Sequence, residues 1–411
     1  MPQSINRQAQ SHVVPVHHLG ISQIISFGML FYAFAPLKTY VMAASSLSAS
    51  AILSLVSFSM LFQALFMPAI GNACDKYGAL RIMGIGFFTG AIGFLLLGMT
   101  GHQLINFLPS YIWVGGCFVL IALGLGMSSY EAAFTATIQL DEKNARKKIS
   151  IITFYGGVAS TVSWLCLTPL LSFFGLAITT TLVSVLLCCT AIVIWQIAKS
   201  KQTNYFNNSF KPQPFHWSLL TKIEKQSLVC LATTGGVQYL MFSATTLLLI
   251  SWFDWQYGNL TMAVILASIC GPFQVIGRYI EMQFGHKLDA RKTGVIAHLL
   301  VPTSLLFIQI PSPVFAVIAM VLFGMGIGVI TVSYGFVTNL YFRAEVYGRA
   351  KSISAALRMI GVAVGPSLGG WLFTQQREDF MTIMVALALL STASFALLLA
   401  LKPTNSIHQQ P

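Results

Sequence analysis

Charge is what this sequence has least of. Only 8% of its 411 residues are Asp, Glu, Lys or Arg, where a soluble domain carries roughly a quarter. So few charges cannot clothe a water-facing surface, which excludes a soluble protein of two or three domains. Carboxylates are the scarcer sign, 11 against 23 Lys and Arg, for a net charge of +12. The basic residues stand singly or in small groups between apolar runs, so the excess describes no nucleic-acid interface. The seven cysteines are scattered, with Cys188 and Cys189 adjacent, and no CxxC or Cys/His spacing occurs. Neither a disulfide framework nor a zinc site follows, and no metal or cofactor is expected. P-loop and HExxH patterns are missing as well, and the one Gly-x-Ser-x-Gly spacing, 365–369, falls inside an apolar run and makes no nucleophile elbow, which leaves no ATPase, metalloprotease or hydrolase reading and no catalytic residue.

What fills the chain instead is hydrophobic: 56% of residues, with a mean hydropathy of +0.76. A helix needs about twenty apolar residues to cross the hydrocarbon core. Twelve such runs occur, at 20–41, 47–70, 82–101, 110–137, 149–173, 176–198, 226–250, 260–282, 293–311, 314–340, 351–374 and 380–401. The expected fold is therefore all-α and membrane-integral, with lipid as its solvent. Lys and Arg fix the orientation. With the N-terminus in the cytoplasm, 19 of the 23 fall in cytoplasmic segments, Lys38 and Arg377 face outward, and Arg278 and Arg358 lie inside spans. Both termini are then cytoplasmic, and Trp252, Trp255 and Tyr257 form an outer aromatic girdle.

The polar stretch 199–225, with its lysines, asparagines and prolines, suits a cytoplasmic linker. It separates a six-helix half, 1–198, from a second, 226–411. Such a layout invites a search for an internal repeat. Gly71-x-x-x-Asp75 follows the second run and Gly285-x-x-x-Asp289 the eighth. Arg146 at the start of the fifth run answers Arg349 at the start of the eleventh. Tyr130 and Gly124 each precede a counterpart, Tyr334 and Gly328, by 204 residues.

The segment "GNACDKYGALR", 71–81, is an island of polarity between the second and third runs. It resembles the signature loop of the major facilitator superfamily, G-x-x-x-D-[RK]-x-G-x-[RK]. Gly71, Asp75, Lys76 and Gly78 match in register, and Arg81 follows just late of the last basic position. The glycines are expected to let the chain turn sharply, and Asp75 to sit near a helix start, where it favours the positive end of the dipole. The resemblance covers essentially the whole chain. It implies twelve helices in two pseudo-symmetric bundles, a bacterial inner (cytoplasmic) membrane, a monomer, and an acidic residue at Asp75 that clamps the cytoplasmic ends in the outward-facing state. It implies further that the first, fourth, seventh and tenth helices line a central cavity, with contributions from the fifth, eighth and eleventh.

Ionisable groups inside spans are costly and mark function by default. Four stand out: Glu131 in the fourth run, Arg278 and Glu281 in the eighth, and Arg358 in the eleventh. Glu131 reads as a proton carrier or a structural ion-pair member. Arg278 and Glu281, three apart on one helix face and close to its cytoplasmic end, read as a gate or a structural pair, and Asp289 as part of the gate. Arg358 lies about two turns into its helix and needs a partner, either a carboxylate such as Glu131 or an anionic substrate. Tyr32, Tyr130, Gln238, Tyr239 and Tyr334 are the polar aromatic and amide positions available to a small organic ligand. The fifth run lacks the G-x-x-x-G-P-x-x-G-G pattern of drug-expelling antiporters, which appears instead in the eleventh as Gly361, Gly365, Pro366, Gly369 and Gly370. The expectation is a proton-linked secondary transporter for a small organic anion. An exporter of a larger amphipathic compound, such as a drug or siderophore, or of a metalloid, is the alternative.

Overall fold

The structure is a computed structural model that describes residues 15–102, 108–140, 145–200, 217, 220–284 and 288–403. It is a bundle of long helices, with no strand among the described residues. Each of the twelve apolar runs becomes helix. The first is bent: α1 (Val16–Phe27) passes through a π-helical turn, Gly28–Tyr32, into α2 (Phe34–Ser45), with a 41° bend. The second and third are α3 (Ala49–Tyr77) and α4 (Ala79–Leu97). The fourth is split at Ser129 into α5 (Ser110–Ser128) and α6 (Tyr130–Leu140). The fifth and sixth are α7 (Ala145–Gly157) and α8 (Ala159–Ser200), a continuous stretch broken only at Gly175, where φ is +70°.

The second half repeats the arrangement with α9 (Lys222–Tyr257), α10 (Leu260–Ser268) and α11 (Cys270–Phe284), α12 (Ala290–Phe307), α13 (Pro313–Tyr341), α14 (Ala344–Gln375) and α15 (Arg377–Ala396). Among the described residues nine stretches are long and apolar enough to cross a membrane, and a tenth if the bent α1–α2 pair is one span. Most of the 199–225 connection lies outside the described residues. Because successive helices reverse direction, the bundle has a linker end, where α8 stops and α9 starts, and a far end.

The polar island folds differently from its sequence expectation. Gly71 is inside α3, and Asp75 lies in the last turn of that helix rather than at a helix start; its side chain lies outside the described residues. Helix continues to Tyr77, so the whole reversal falls on Gly78, whose φ of +93° suits only glycine. The free N–H of α4 is met by Gln139 from the end of α6. Its Oε1 accepts from Ala79 N at 3.0 Å while its Nε2 donates to Cys74 O at 3.0 Å. One buried amide thus caps two helix ends at once. Lys76 and Arg81 are exposed, Lys76 over the Tyr77 ring at 5.1 Å. Gly285 of the second copy lies outside the described residues. Asp289 is the N-cap of α12, accepting from Arg291 N at 2.9 Å and pairing with the Arg291 guanidinium at 2.6 Å.

Burial works against the Asp289 charge, but the Arg291 guanidinium and amide outweigh it and hold the carboxyl below its usual range. A group with a depressed folded pKa adds stability above its unfolded value, near 3.9 for Asp, and loses it as pH falls through the folded one. Asp289→Ala therefore lowers stability by about 1–2 kcal/mol at neutral pH. Thermal melts of wild type and variant should converge below about pH 4.

Candidate functional site

The two halves enclose a cavity of about 180 Å³. From the first half come Phe27 and Tyr32 on the bent first span, Tyr130 at the start of α6 and Gly156 near the end of α7. The second half supplies Gln238, Tyr239 and Phe242 on α9, Gln274 and Arg278 on α11, and Ile327, Ile330 and Thr331 on α13. None of these twelve residues is acidic. Five carry aromatic rings.

Backbone irregularities aim the first-half residues. A π-turn leaves carbonyls without helical partners, and such turns gather at functional sites. Here Ser163 Oγ donates to Gly28 O at 2.7 Å and Trp164 Nε1 to Tyr32 O at 3.1 Å, both from α8. The Trp164 ring meets Tyr32 edge-on at 5.9 Å. At the break before α6, Gln23 Nε2 donates to Ser128 O at 3.0 Å, and Ser26 and Ser128 share a hydroxyl bond of 2.8 Å. Tyr130 follows directly, its ring against Phe27 at 4.6 Å and its hydroxyl donating to Thr153 O at 3.1 Å. Trp164 is fully buried, so Trp164→Ala should cost about 3–5 kcal/mol, read as a lowered melting temperature, and release Tyr32 from its wedge.

Arg278 dominates the electrostatics. It is 6% exposed, its Nη1 donates to Thr153 O across the halves, and its Nε donates to Thr331 Oγ1 at 3.3 Å. No carboxylate lies within 4 Å of it among the described residues. Arg278 and Glu281 therefore do not pair. Glu281 instead accepts from Thr293 and Ser333 hydroxyls, each at 3.1 Å.

Tyr32, Tyr130, Gln238, Tyr239 and Arg278 meet at the cavity. Arg358 and Tyr334 stand behind its wall: the Arg358 guanidinium lies over Tyr334 at 5.0 Å and Tyr239 at 5.7 Å, and Tyr334 bonds Leu231 O and, at 2.6 Å, Ser354 Oγ. Tyr239 is thus shared between the cavity and the Arg358 stack. Glu131 is exposed, and among the described residues no basic side chain, Arg358 included, comes within 4 Å of its carboxyl. Arg146, Arg349 and Lys351 have no described side chains.

Sequence reasoning missed Lys38. Read from the sequence only as a charge on the outer side, it is 7% exposed and donates from Nζ to Ser251 Oγ at 2.6 Å, joining α2 to α9 at the far end. Its signal was present, a lysine close to the end of a run otherwise free of charge. Other contacts between the halves also cluster at the far end: Ser50 with Thr374 and Ser54 with Ser367, each at 3.2 Å, and Ser367 N to Ser57 Oγ at 2.8 Å. Toward the linker end of α3, Leu65 is 77% exposed and no atom lies within 4 Å of a Cβ placed on Gly71. Along α3 and α14 these hydrogen bonds thus hold the far end together.

Residues 19–366 match the family model described as Major Facilitator Superfamily. A crystal structure of a D-xylose-proton symporter superposes with a TM-score of 0.69 at 15% identity, over 92% of this chain and 96% of that one. A mutant of the nucleoside transporter NupG does so at 0.68 and 15%, over 94% and 99%. At that identity the likeness is one of fold. No curated protein matches the chain.

Proposed function

The chain belongs to the major facilitator superfamily, a multi-pass membrane carrier rather than an enzyme, and from that premise we propose that it is a proton-linked transporter of a small organic anion. The observation that carries this reading is Arg278: a buried guanidinium in the wall of a cavity with no acidic lining residue. A guanidinium in such a place needs an anion, and its planar fork suits a carboxylate or sulfonate. The rings of Phe27, Tyr32, Tyr130, Tyr239 and Phe242 offer an apolar bed for the body of the solute. Lys38 supports the same reading, as a second buried cation on the route between cavity and far end.

Alternating access then moves the solute past Arg278 as the far-end contacts part and the linker ends of α3 and α14 meet, where Gly71, Asp75 and Lys76 end α3, Gly78 makes the turn and Arg81 opens α4. With the linker end in the cytoplasm of a bacterial inner membrane, the cavity is reached from inside in this state. The fold of a proton symporter supports coupling to protons. The aromatic lining also favours a second reading, a carrier for a neutral aromatic compound.

Thermal unfolding against paired ligands separates the two. Anything bound to the folded state raises its melting temperature by mass action. Stabilisation by benzoate, phenylpropionate and benzenesulfonate, with none from the matching amides, supports the anion carrier. Equal stabilisation by acids and amides overturns it in favour of the neutral reading.

A further inference from the structure

Seven carboxyl side chains are described, and six have evident surroundings. Glu224 pairs with Arg343 and Asp289 with Arg291, while Glu131, Asp254, Glu378 and Asp379 are exposed. Glu281 is the exception. It is 6% exposed, lies among α11, α12 and α13, and its Oε1 accepts two neutral hydroxyls, from Thr293 and Ser333. Among the described residues no basic side chain reaches within 4 Å of it.

The charged and titratable groups on the packed elements are committed elsewhere. On its own helix Arg278 holds Thr153 O and Thr331. On α12, Arg291 holds Asp289, Lys292 is exposed, and His298 bonds Gly294 O at 2.7 Å with its ring stacked on Phe395. On α13, Tyr334 bonds Leu231 O and Ser354, and Tyr341 bonds Leu398 O. From α7, α8 and α10 no charged group comes within 4 Å of it among the described residues. A buried carboxyl with no basic partner in contact among the described residues is placed to bind a proton, which is how such groups serve membrane carriers.

Its position gives that proton a use. Glu281 is three residues after Arg278, on the same face and one turn closer to the linker end. Helix α13 holds both, Arg278 through Thr331 and Glu281 through Ser333. With the cavity empty, one guanidinium and one carboxylate balance. An anion on Arg278 leaves one negative charge in excess, and a proton bound to Glu281 removes it. We infer that Glu281 is the proton-binding residue of the transport cycle, taking up one proton at a carboxyl oxygen as the anion docks on Arg278 and releasing it as the anion departs. This assignment rests on the anion-carrier reading and moves the proton from Glu131 to Glu281.

Benzenesulfonate is the probe, because it stays ionised and brings no proton of its own. In purified protein a pH dye reads protons bound on its addition, and in proteoliposomes uptake is followed with and without a pH gradient. Wild type and Glu131→Gln should take up a proton with the anion. Glu281→Gln, which copies the neutral carboxyl, should bind and exchange benzenesulfonate within about two-fold of wild type, without proton uptake, and lose gradient-driven accumulation by roughly ten-fold or more. Ser333→Ala, which removes one donor and leaves the carboxyl, should shift the pH midpoint of proton uptake.

Anion binding by wild type with no proton taken up overturns the assignment and leaves the carrier reading intact. So does proton uptake that survives in Glu281→Gln, or an unmoved midpoint in Ser333→Ala. Failure of wild type to bind benzenesulfonate while the amides of the thermal panel do bind overturns the anion reading itself.

Discussion

Arg278→Ala should reduce anion binding by roughly 10- to 150-fold, the 1.5–3 kcal/mol that a hydrogen bond to a charged group contributes. Removing the side chain takes away the cation among the described lining residues, along with one donor to Thr153 O, which keeps its bond from Tyr130, and one to the Thr331 hydroxyl, which keeps its bond to Gly328 O. Arg278→Lys keeps the charge but not the fork, and a lysine cannot hold the Thr153 carbonyl, Thr331 and a carboxylate in one plane. It should recover only a small part of the loss. Arg358→Ala provides the contrast. Arg358 touches the site only through the rings of Tyr239 and Tyr334, a contact of about 0.5–2 kcal/mol, so its removal should weaken binding by no more than roughly thirty-fold and leave the preference for anions over amides in place. Titrating the melting temperature with benzoate in all three variants measures this directly. If Arg358→Ala abolishes the preference and Arg278→Ala spares it, the two arginines have exchanged roles.

Gly365→Val should destabilise the protein by about 3 kcal/mol or more, at or beyond the upper end for overpacking. A Cβ at Gly365 would lie 2.5 Å from Leu240 O and 3.0 Å from Ala244 N, and one at Gly361 would lie 3.0 Å from Leu240 N. These are backbone atoms of α9, unable to swing aside as a side chain could. One turn on, a Cβ at Gly369 would meet Ala244 Cβ at 2.8 Å. The glycine stripe of α14 is therefore a groove cut for α9, as close small-residue packing in membranes requires. Gly71→Val is the control. With no atom within 4 Å of the added Cβ, its melting temperature should stay within that of an ordinary surface change, about 0.5 kcal/mol. Thermal unfolding and the yield of monodisperse protein read both variants, and equal losses in the two would refute the packing account.

The glycine stripe was legible in the sequence because spacing alone reports it: Gly361, Gly365 and Gly369 recur every four residues on one helical face. Hydrophobic runs likewise announced every helix, because crossing lipid demands a length that composition cannot hide. The site was legible in part. Tyr32, Tyr130, Gln238 and Tyr239 were visible as polar groups on helices that the family resemblance placed around a cavity. Arg278 was visible as a costly charge but was given to a gate, since its spacing from Glu281 suggested a pair. Spacing reports which groups share a face, and cannot report that a tertiary neighbour, Thr153 O, draws the guanidinium away. Glu131 and Arg358 matched in depth along their helices, yet depth says nothing of rotation about the axis, and the two are not paired. Gln139 and Lys38 escaped because their partners lie on other helices, sixty and more than two hundred residues distant.

The far end is held by one ammonium–hydroxyl contact and three bonds among serines and a threonine. Interhelical bonds of this kind average about 0.6 kcal/mol each in membranes. Four of them sum to roughly 2–3 kcal/mol, a small hydrogen-bonding contribution for a seam that has to part. A fastening of carboxylates and arginines there would make such excursions rare. Serine and threonine keep the rarer conformer within reach of thermal motion, so the difference in solute and proton binding between the two states has little adhesion to overcome.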